Sequence, residues 1–581
     1  MNISKKNILL ALSFASFLLP FVSAQDLTNN YATPLPLPIP DVIWDVTHVN
    51  ENHAALRTGN QYSICSDLSK LMIQAKSFLA QNPTKTLKLF FPAGVYKFDT
   101  CGYAIDGFQS GKLWVHGAGT GKTIFLYSIS DSPANINDFP LRIKESKNVT
   151  FSGIHLERYG FYSPHFQVIG RNDSLGSKSY TLKLLDGYPS PEKLAPLVGT
   201  SWGNVALLTY EYAALDPEHK PIRMPYPNIV TGATADESPF IPVKGQPGVY
   251  TVLLRSQARS YPTKVGDYVA AKVRSGMATI AIVRSNYVAL RDILITRGAN
   301  QAVFTYSTSD HLTVEKMRIT RPVDVQFPGE FAGGKPFLSQ PGGGIVAFAY
   351  HTDPQEKRNG AVVKDCFIQS TADDAIAVGT WGSHDLLMDG PSVTGNTIMD
   401  NQARAILVLP LTNGLVRGNK IIRSESGLWL RNHDDVQDGK SSVQNLRIIQ
   451  NIFNITSGGP AIGFLDESGA KGGLHTQIDI NNNEFLMASQ KNPLISVANA
   501  GQVNIANNRV KSFMQAVDVN FFENPLRPNE PLITSLVYVN DAVKITGRNN
   551  VTVALEGSQQ VTGASSKWTG TFPISLFMIG K

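Results

Sequence analysis

Short runs of alternating apolar and polar residues recur along most of the chain, and corners rich in Asn, Asp and Gly separate them. Runs such as KNVTFSGIHLERYG, DHLTVEKMRITRP and SVTGNTIMDNQARAILVLP each hold two strand-like segments joined by one such corner. Apolar residues at every second position predict β-strands that bury one face. Because no helical pattern lies between these strands, a sheet built from β-α-β units is excluded.

The corner carries a polar residue that returns at fairly regular intervals. These residues are Asp292, Lys316, Asp365, Asn396, Asn419, Asn451, Asn483 and Asn508. The intervals of 24, 49, 31, 23, 32, 32 and 25 residues fit one turn of a solenoid plus loops of varying length. The sequence therefore predicts an all-β fold, a right-handed parallel β-helix. Its asparagines either stack into an internal ladder of amide side chains or serve simply as turn residues.

One helix is expected before the first strands. In CSDLSKLMIQAKSFLAQNP the apolar residues fall at helical spacing, with Ser66 or Asp67 as the N-cap and Pro83 just beyond the end. An amphipathic helix at this point would cap the open end of the β-helix, whose first turn would otherwise expose both its core and its edge.

The corner pattern is absent from roughly 172 to 270, where alternating strands are joined by loops rich in Pro and Gly. This change predicts a small antiparallel β domain, similar to a barrel, inserted between early turns of the solenoid. The expected organisation is a signal peptide over 1–24, an N-terminal cap with the first turns over 25–171, the insert over 172–270, the main β-helix with its groove over 271–520, and C-terminal strands and a cap over 521–581.

The start of the chain resembles an export signal. Lys5 and Lys6 precede an apolar stretch over 8–22, and small residues follow up to Ala24, which predicts cleavage near Ala24 and a secreted or periplasmic protein. No later segment has the length of apolar sequence that a membrane span needs. Removal of the two lysines lowers the formal net charge from +6 to +4, and no segment is dense in Lys or Arg, so nucleic acid is not an expected partner. The oligomeric state is not indicated.

Three cysteines are too few for a disulfide framework. Cys65 and Cys101 could form one bridge in an oxidising compartment, whereas Cys366 lies in a strand-like run and is expected to be a buried apolar side chain. No Cys/His ligand spacing and no nucleotide-binding motif occur, so neither a metal nor another cofactor is expected. GAGTGKT lacks the spacing of a phosphate-binding loop and is interpreted as a Gly-rich turn.

The most unusual stretch is STADDAIAVGTW, in which Asp373 and Asp374 stand side by side. Like charges in contact repel, so such a pair is expected to be solvated, ion-paired or used in chemistry. Alignment of successive turns places ADDAIAV over QARAILV and then ESGLWL, which puts Asp374 beside Arg404 on the next turn. Other side chains suited to sugar chemistry occur nearby in the sequence: His351, Asp353, Trp381, His384, Trp429 and His433.

Paired carboxylates next to exposed aromatic rings suit a glycosidase that acts on an oligosaccharide or polysaccharide. One carboxyl group protonates the glycosidic oxygen, and the other activates water or attacks the anomeric carbon. Arg404, His351, Trp381, Trp429 and His433 are the expected substrate-binding residues. Three alternatives stay open: the aspartates form a solvated turn tied to Arg404, the protein is a polysaccharide lyase or epimerase that uses Lys or Arg, or it is a non-catalytic glycan-binding β-helix.

These segments, in the order VGDYVAAKV, TIAIVRSNYVALRDILIT, HLTVEKMRITR, GGGIVAFAY and VVKDCFIQSTADDAIAVGTW, resemble glycoside hydrolase family 110 over roughly residues 40 to 520. The resemblance implies a right-handed β-helix exo-enzyme that removes terminal α-linked galactose with inversion and without a metal, and it implies that Asp373 and Asp374 are catalytic.

The chain departs from the family at one position, because the family has a further aspartate where Gly343 stands. Asp324, Glu330 and Asp353 are candidates to replace it, and Asp353 is taken as the third catalytic residue. Polygalacturonases also carry an Asp-Asp pair at the equivalent turn. Their Asn-Thr-Asp and Gly-His-Gly signatures are absent here, and Arg-Ile-Lys occurs only at 142–144, far upstream of the Asp-Asp pair.

Overall fold

The computed structural model describes residues 31–48, 55–59, 62–127, 140–158, 163–174, 178–194, 206–212, 221–223, 229–230, 238–254, 263–272, 278–298, 300–306, 310–321, 342–350, 360–381, 387–432, 442–455, 459–465, 475–487, 495–497, 503–506, 508–512, 517–521, 543–547, 552–555, 559–562 and 568–572. The predicted signal peptide over 1–24 lies outside these residues.

The predicted fold class is confirmed: successive coils stack through parallel strands into a β-helix, right-handed as parallel crossovers are. The larger sheet, sheet A, supplies two arms of each coil. Its strands are Val42–Asp45, Thr86–Phe91, Gly94–Phe98, Lys112–Gly117, Thr123–Tyr127, Lys147–Arg158, Asn286–Thr296, Thr313–Glu315, Arg318–Ile319, Val362–Lys364, Phe367–Gln369, Met388–Asp389, Ser392–Thr394, Thr397–Met399, Leu411–Arg417, Lys420–Ser424, Val443–Ile449, Ile452–Ile455, Thr476–Asn481, Glu484–Met487, Val503–Ala506 and Arg509–Ser512.

Sheet B supplies the third side of each coil. Its strands are Tyr103–Asp106, Leu141–Lys144, Ala278–Val283, Gln301–Tyr306, Ile345–Tyr350, Ile376–Trp381, Arg404–Val408, Ser426–Arg431, Ile462–Leu465, Ile495–Val497, Val517–Phe521, Val543–Gly547 and Trp568–Phe572. All of them pair in parallel except the last, which closes the sheet in the antiparallel sense. A separate antiparallel hairpin, Thr552–Leu555 with Gln559–Thr562, lies near the C-terminus.

The inward residues of these three sides form one apolar core along the axis of the solenoid. The strand Ile376–Trp381 of sheet B shows the alternation: Ile376 and Val378 belong to the core, whereas Ala377 faces the opposite side and packs in a separate outer cluster. The period-2 pattern therefore determines which residues of sheet B are left for an external cleft.

The predicted asparagine ladder forms at the corner between the two arms of sheet A. The amide nitrogens of Asn396, Asn419, Asn451 and Asn483 each donate to the side-chain oxygen of the next asparagine, at 2.9 to 3.0 Å, and the run ends at Asn508. Each of these amides also donates to a backbone carbonyl, and each accepting oxygen also binds a backbone N–H. The buried amides are therefore well satisfied.

The register of the three earlier corners differs from the prediction. Asp292, Lys316 and Asp365 precede the ladder position by one residue and adopt left-handed backbone angles, with φ of 47°, 55° and 53°. Cys366 occupies the ladder position instead, and its N–H donates to Asn396 at 2.9 Å. The prediction was wrong because polar residues suit both the exposed left-handed position and the buried one beside it, and the sequence pattern does not separate the two.

The N-terminal helix spans Cys65–Gln81 and buries the apolar face that the sequence predicts. Its N-cap is Ile64, without a side-chain cap, so the prediction of Ser66 or Asp67 was wrong. Burial of Ile64 and a disulfide between Cys65 and Cys101 hold the first turn in place of a cap. Among the described cysteines only Cys366 is free, and it is buried as expected.

The insert is an eight-stranded antiparallel sheet that begins at His165 and ends at Lys272, and so extends beyond the predicted range of 172 to 270. Its strands are His165–Asn172, Ser179–Leu184, Ala206–Tyr212, Pro221–Arg223, Ile229–Val230, Phe240–Pro242, Val249–Leu253 and Tyr268–Lys272, with a short 3-10 helix over Pro191–Leu194. The core of the insert includes Ala278 and Ala281 of sheet B, and Phe304 packs against it. This packing attaches the insert to the outer face of the solenoid.

The proline-rich segment over 31–41 runs along the outside of sheet A. The N–H of Ala32 donates to the carbonyl of Gly390, that of Leu35 to the hydroxyl of Thr313, and that of Asp41 to the carbonyl of Thr86. The segment thus crosses several coils in the direction of stacking. Within the described part of the chain, no helix has the length and apolarity that a membrane crossing needs.

Candidate active site

A cleft of about 310 Å³ lies on the outer face of sheet B, beside its junction with the insert. Four neighbouring strands form its base: Gln301–Tyr306, Ile345–Tyr350, Ile376–Trp381 and Arg404–Val408. The residues that line it are Gln301, Phe304, Gly343, Val346, Phe348, Asp373, Asp374, Ala377, Trp381, Arg404, Leu407 and Arg431. Both aspartates of the STADDAIAVGTW stretch are among them.

The turn that carries the two aspartates is held by its neighbours. The N–H groups of Ala372 and Asp373 both donate to the carbonyl of Gly342 at 3.0 Å. The hydroxyl of Thr371 contacts the carbonyl oxygen of Asp373 at 3.0 Å and the side-chain oxygen of Asn401 at 3.1 Å. These contacts fix the backbone of the pair before the strand begins at Ile376.

Asp374 and Arg404 form a bidentate ion pair across adjacent coils, as the predicted register requires. The Nε of Arg404 lies 2.6 Å from Oδ1 of Asp374, and its Nη2 lies 3.0 Å from Oδ2. Asp374 is 8% exposed, and burial raises the pKa of its carboxyl group. The positive charge of Arg404 opposes that rise, and the negative charge of Asp373 adds to it.

Asp373 is paired with a lysine that the insert supplies. The Nζ of Lys272 lies 3.3 Å from Oδ1 of Asp373, and the lysine side chain is only 1% exposed whereas that of the aspartate is 17% exposed. Lys272 ends the last strand of the insert, where it is in register with Ala206. This lysine is not among the residues predicted from the sequence, where its one signal is a cation at the end of the apolar run YVAAK.

A third carboxylate, Glu425, belongs to the same electrostatic cluster and was also missed. Its pKa is raised to about 7, first by burial and then by the negative charges of Asp373 and Asp374. Lys272 and Arg404 act in the opposite direction on it. The signal was present in the alignment of ADDAIAV with ESGLWL, which places this glutamate on the row of Asp373.

The floor of the cleft is apolar and aromatic. The rings of Phe348 and Trp381 stack with centroids 5.2 Å apart and an angle of 24° between their planes. Phe304 meets Phe348 edge-on at 6.2 Å. Leu407 and its neighbours complete the cluster, against which Trp429 packs. Such a surface can bind the apolar face of a sugar ring.

The structure therefore brings together Asp373, Asp374, Arg404 and Trp381 from the predicted set, with Trp429 at the edge of the same apolar cluster. Three other predicted residues, His351, Asp353 and His433, lie outside the described residues, as do Asp324, Glu330 and His384. For these residues the sequence-based roles stay predictions.

Gly343, where the predicted resemblance to family 110 implies an aspartate, lies in the cleft next to the pair. A Cβ atom at this position would be 2.9 Å from the backbone carbonyl oxygen of Asp374. That distance is shorter than a normal contact, so any side chain here would require the backbone of the turn to move. Among the described residues, no group of three or more His, Cys, Asp and Glu side chains could hold a metal ion.

No protein-family model and no curated protein matches the chain. Among solved structures, a family 28 exopolygalacturonase from Yersinia enterocolitica is similar with a TM-score of 0.41 and 10% identity, over 83% of this chain and 73% of that one. The surface adhesin PfbA of Streptococcus pneumoniae gives a TM-score of 0.40 and 12% identity, over 88% of this chain and 95% of that one.

The catalytic domain of a family 87 α-1,3-glucanase in complex with nigerose gives a TM-score of 0.36 and 12% identity, over 88% of this chain and 63% of that one. At these TM-scores the likenesses favour no single activity. The resemblance to family 110 stays a prediction.

Proposed function

We propose that the protein is a glycoside hydrolase that cleaves an oligosaccharide or polysaccharide, with Asp373 and Asp374 at its catalytic centre. The observation that carries the proposal is that both carboxylates line a cleft with an apolar, aromatic floor. Glycoside hydrolysis requires a carboxylate that activates water and a carboxylic acid that protonates the leaving oxygen, and the aspartate pair can supply the first of these. Aromatic rings beside them suit the binding of a sugar.

The two aspartates differ in their surroundings, and we assign them different roles. Asp373 is the more exposed, and the ammonium group of Lys272 favours its ionised form. It is therefore the base that accepts a proton from the attacking water. Both oxygens of Asp374 accept hydrogen bonds from Arg404, so this carboxylate is held rigidly. Its negative charge would stabilise the positive charge that develops at the anomeric carbon.

Terminal α-linked galactose, or a related sugar, is the substrate we propose to test first, with inversion of configuration; both follow from the resemblance to family 110. We also propose that the mature chain is exported. The disulfide between Cys65 and Cys101 supports that location, because such bonds form and persist in oxidising compartments.

Hydrolysis is favoured over the lyase alternative by the ion pair at Lys272. A lyase base must be neutral to abstract a proton, whereas the carboxylate of Asp373 at 3.3 Å favours the charged form of this lysine. A carboxyl group that lines a cleft and whose pKa is raised by burial, as that of Asp374 is, is more typical of a catalytic site than of a glycan-binding surface.

The test uses a panel of oligosaccharides and aryl glycosides, with α-galactosides first. Products are followed as new reducing ends, by the ultraviolet absorbance of unsaturated sugars, and by NMR of the anomeric configuration. We expect reducing ends with inverted configuration. Asp373→Asn should lower turnover at least about a hundredfold, in line with the usual contribution of a general base.

Asp479→Asn is the matched control, because Asp479 lies 3.6 Å from Arg447 in an ion pair of sheet A and is 24% exposed. It should leave turnover unchanged. Unsaturated products would identify a lyase instead, and binding without any product across the panel would identify a glycan-binding protein.

A further inference from the structure

Glu425 and Asp373 lie on one row of side chains that runs along the stack of coils. The backbone register of Ile376 with Ile406 places Asp374 level with Arg404 on the next coil. Arg404 is in turn in register with Ser426 on the following coil. The residues immediately before these three are therefore also aligned. They are Asp373, Ala403 and Glu425, so the two carboxylates are two coils apart.

Two coil steps correspond to about 9.6 Å between Cα atoms, at about 4.8 Å for each step. Ala403 between them carries only a methyl group, so its position leaves a gap between the two carboxylate side chains. Carboxyl groups about 6.5 to 9.5 Å apart are characteristic of inverting glycosidases, which need space for a water molecule as well as the sugar. The Cα atoms of Asp373 and Glu425 are therefore far enough apart for their two carboxyl groups to lie at such a separation.

The backbone of Glu425 is held on both sides. Its N–H donates to the carbonyl of Asn401 at 3.0 Å, and its carbonyl oxygen accepts from the N–H of Gly459 at 3.1 Å. The side chain is partly buried, and the residue lies in the bend just before the strand Ser426–Arg431, whose last residue lines the cleft. The backbone that carries this carboxyl group is therefore held by the neighbouring coils at the start of a strand that reaches the cleft.

We propose that Glu425 is the proton donor of this site, acting across the gap at Ala403 from Asp373. The inference rests on the proposed hydrolase activity and deepens it. The Oε–H of Glu425 gives its proton to the glycosidic oxygen as the bond from that oxygen to the anomeric carbon breaks, and the electron pair stays on the oxygen. Water forms the new bond to the anomeric carbon, and its proton passes to Asp373.

The electrostatics agree with this assignment. A pKa of about 7 keeps the carboxyl group of Glu425 largely protonated in mildly acidic solution, as a general acid requires, and leaves a substantial fraction protonated at neutral pH. Asp374 is less suited to the role, because a guanidinium group occupies both of its oxygens. After each turnover Glu425 is ionised and Asp373 is protonated, and exchange with water restores the starting state.

The test compares two leaving groups on the same sugar, a galactosyl fluoride and an alkyl galactoside, together with the equivalent pair for any other sugar that the wild type cleaves. Fluoride departs with little help from a proton, whereas an alkoxide needs one. Glu425→Gln should lower turnover of the alkyl glycoside at least about a hundredfold, and turnover of the fluoride less than about tenfold. Asp373→Asn should lower both.

The pH profile gives a second readout. The wild-type rate on the alkyl glycoside should fall as pH rises through about 7, because the donor loses its proton there. Glu425→Gln should lack this alkaline limb, and Glu425→Asp, which keeps a carboxyl group, should retain it. Melting temperatures check that each variant is folded. Glu315→Gln, which alters a carboxylate paired with Arg291 on sheet A, should match the wild type in every assay.

Two results separate the failure of this inference from that of the proposed function. Suppose that the wild type cleaves a glycoside and Asp373→Asn abolishes this cleavage. Glu425 is then not the donor if Glu425→Gln behaves like the wild type. It is also not the donor if Glu425→Gln lowers turnover of the fluoride and of the alkyl glycoside equally and keeps the alkaline limb of the pH profile. If the wild type cleaves no glycoside of the panel, the hydrolase proposal itself is refuted, and this assignment is refuted with it.

Discussion

Arg423 and Asp400 repeat, outside the cleft, the bidentate ion pair that Arg404 and Asp374 form within it. The Nε of Arg423 lies 2.7 Å from Oδ1 of Asp400, and its Nη2 lies 2.9 Å from Oδ2. Asp400 is 1% exposed, and so is buried at least as deeply as Asp374. The chain therefore contains its own control for the loss of such a pair.

The first prediction compares Asp374→Asn with Asp400→Asn. Each change removes the carboxylate partner of a partly exposed arginine, since the side chain of Arg404 is 20% exposed and that of Arg423 is 32% exposed. We therefore expect each to lower the free energy of unfolding by about 1 to 3 kcal/mol. Only Asp374→Asn should also lower turnover, by at least about a hundredfold. Urea denaturation and steady-state kinetics measure the two effects. If Asp374→Asn is folded and turns over like Asp400→Asn, Asp374 has a structural role only.

The second prediction concerns the pH dependence of stability. The folded pKa of Glu425, about 7, lies above the usual glutamate value of 4.5, so between these pH values the native state binds a proton that the unfolded chain has released. The contribution is therefore fully present at low pH and is lost as pH rises through about 7. Glu425→Gln should remove about 1 to 3 kcal/mol of this dependence between pH 4.5 and 8. If the free energy of unfolding from urea curves changes with pH by the same amount in the wild type and in Glu425→Gln, the prediction is contradicted.

The third prediction tests the asparagine ladder. Asn451→Ala removes the acceptor of the Asn419 side chain and of the Asn419 N–H, and it removes a donor to Asn483. Because these groups are buried and would lack partners, we expect a loss of about 3 kcal/mol or more. Asn454→Ala, on the partly exposed face of an adjacent strand, should cost less than about 1 kcal/mol. Equal losses would mean that the ladder adds nothing beyond an ordinary turn.

The fourth prediction concerns the aromatic floor. Trp381→Ala removes the ring that stacks on Phe348, so glycan affinity should fall at least about tenfold while the melting temperature changes little. Tyr62→Ala is a suitable control, because Tyr62 is 41% exposed and contacts Arg57 through a cation–π interaction far along the chain from the cleft. Affinity measured by titration calorimetry with the best ligand of the panel should not change in the control. An unaltered affinity in Trp381→Ala would exclude this ring from binding.

The β-helix could be predicted because its signals are local. Strands alternate with period 2, and corner asparagines recur once per coil, so the stacking direction and the pairing of Asp374 with Arg404 follow from simple alignment. The corners at Asp292, Lys316 and Asp365 were displaced by one residue, because a left-handed position and a buried ladder position attract similar side chains.

The rest of the site could not be predicted for a different reason. Lys272 reaches Asp373 only because the insert packs on the outside of sheet B, and a single sequence carries no pattern that specifies how two such surfaces dock. Glu425 was within reach of the alignment, but its raised pKa depends on burial and on four neighbouring charges that meet only in three dimensions.

The proline-rich segment over 31–41 has a consequence for the order of folding. Leu35 bonds to Thr313, 278 residues later in the chain, and Ala32 bonds to Gly390, which lies still further along. Contacts of such long sequence separation form slowly, because the intervening chain must first be ordered. During synthesis the contacts of Leu35 and Ala32 can therefore form only after the chain has been extended to Thr313 and Gly390, so the earlier coils are made before this part of the segment can attach to them.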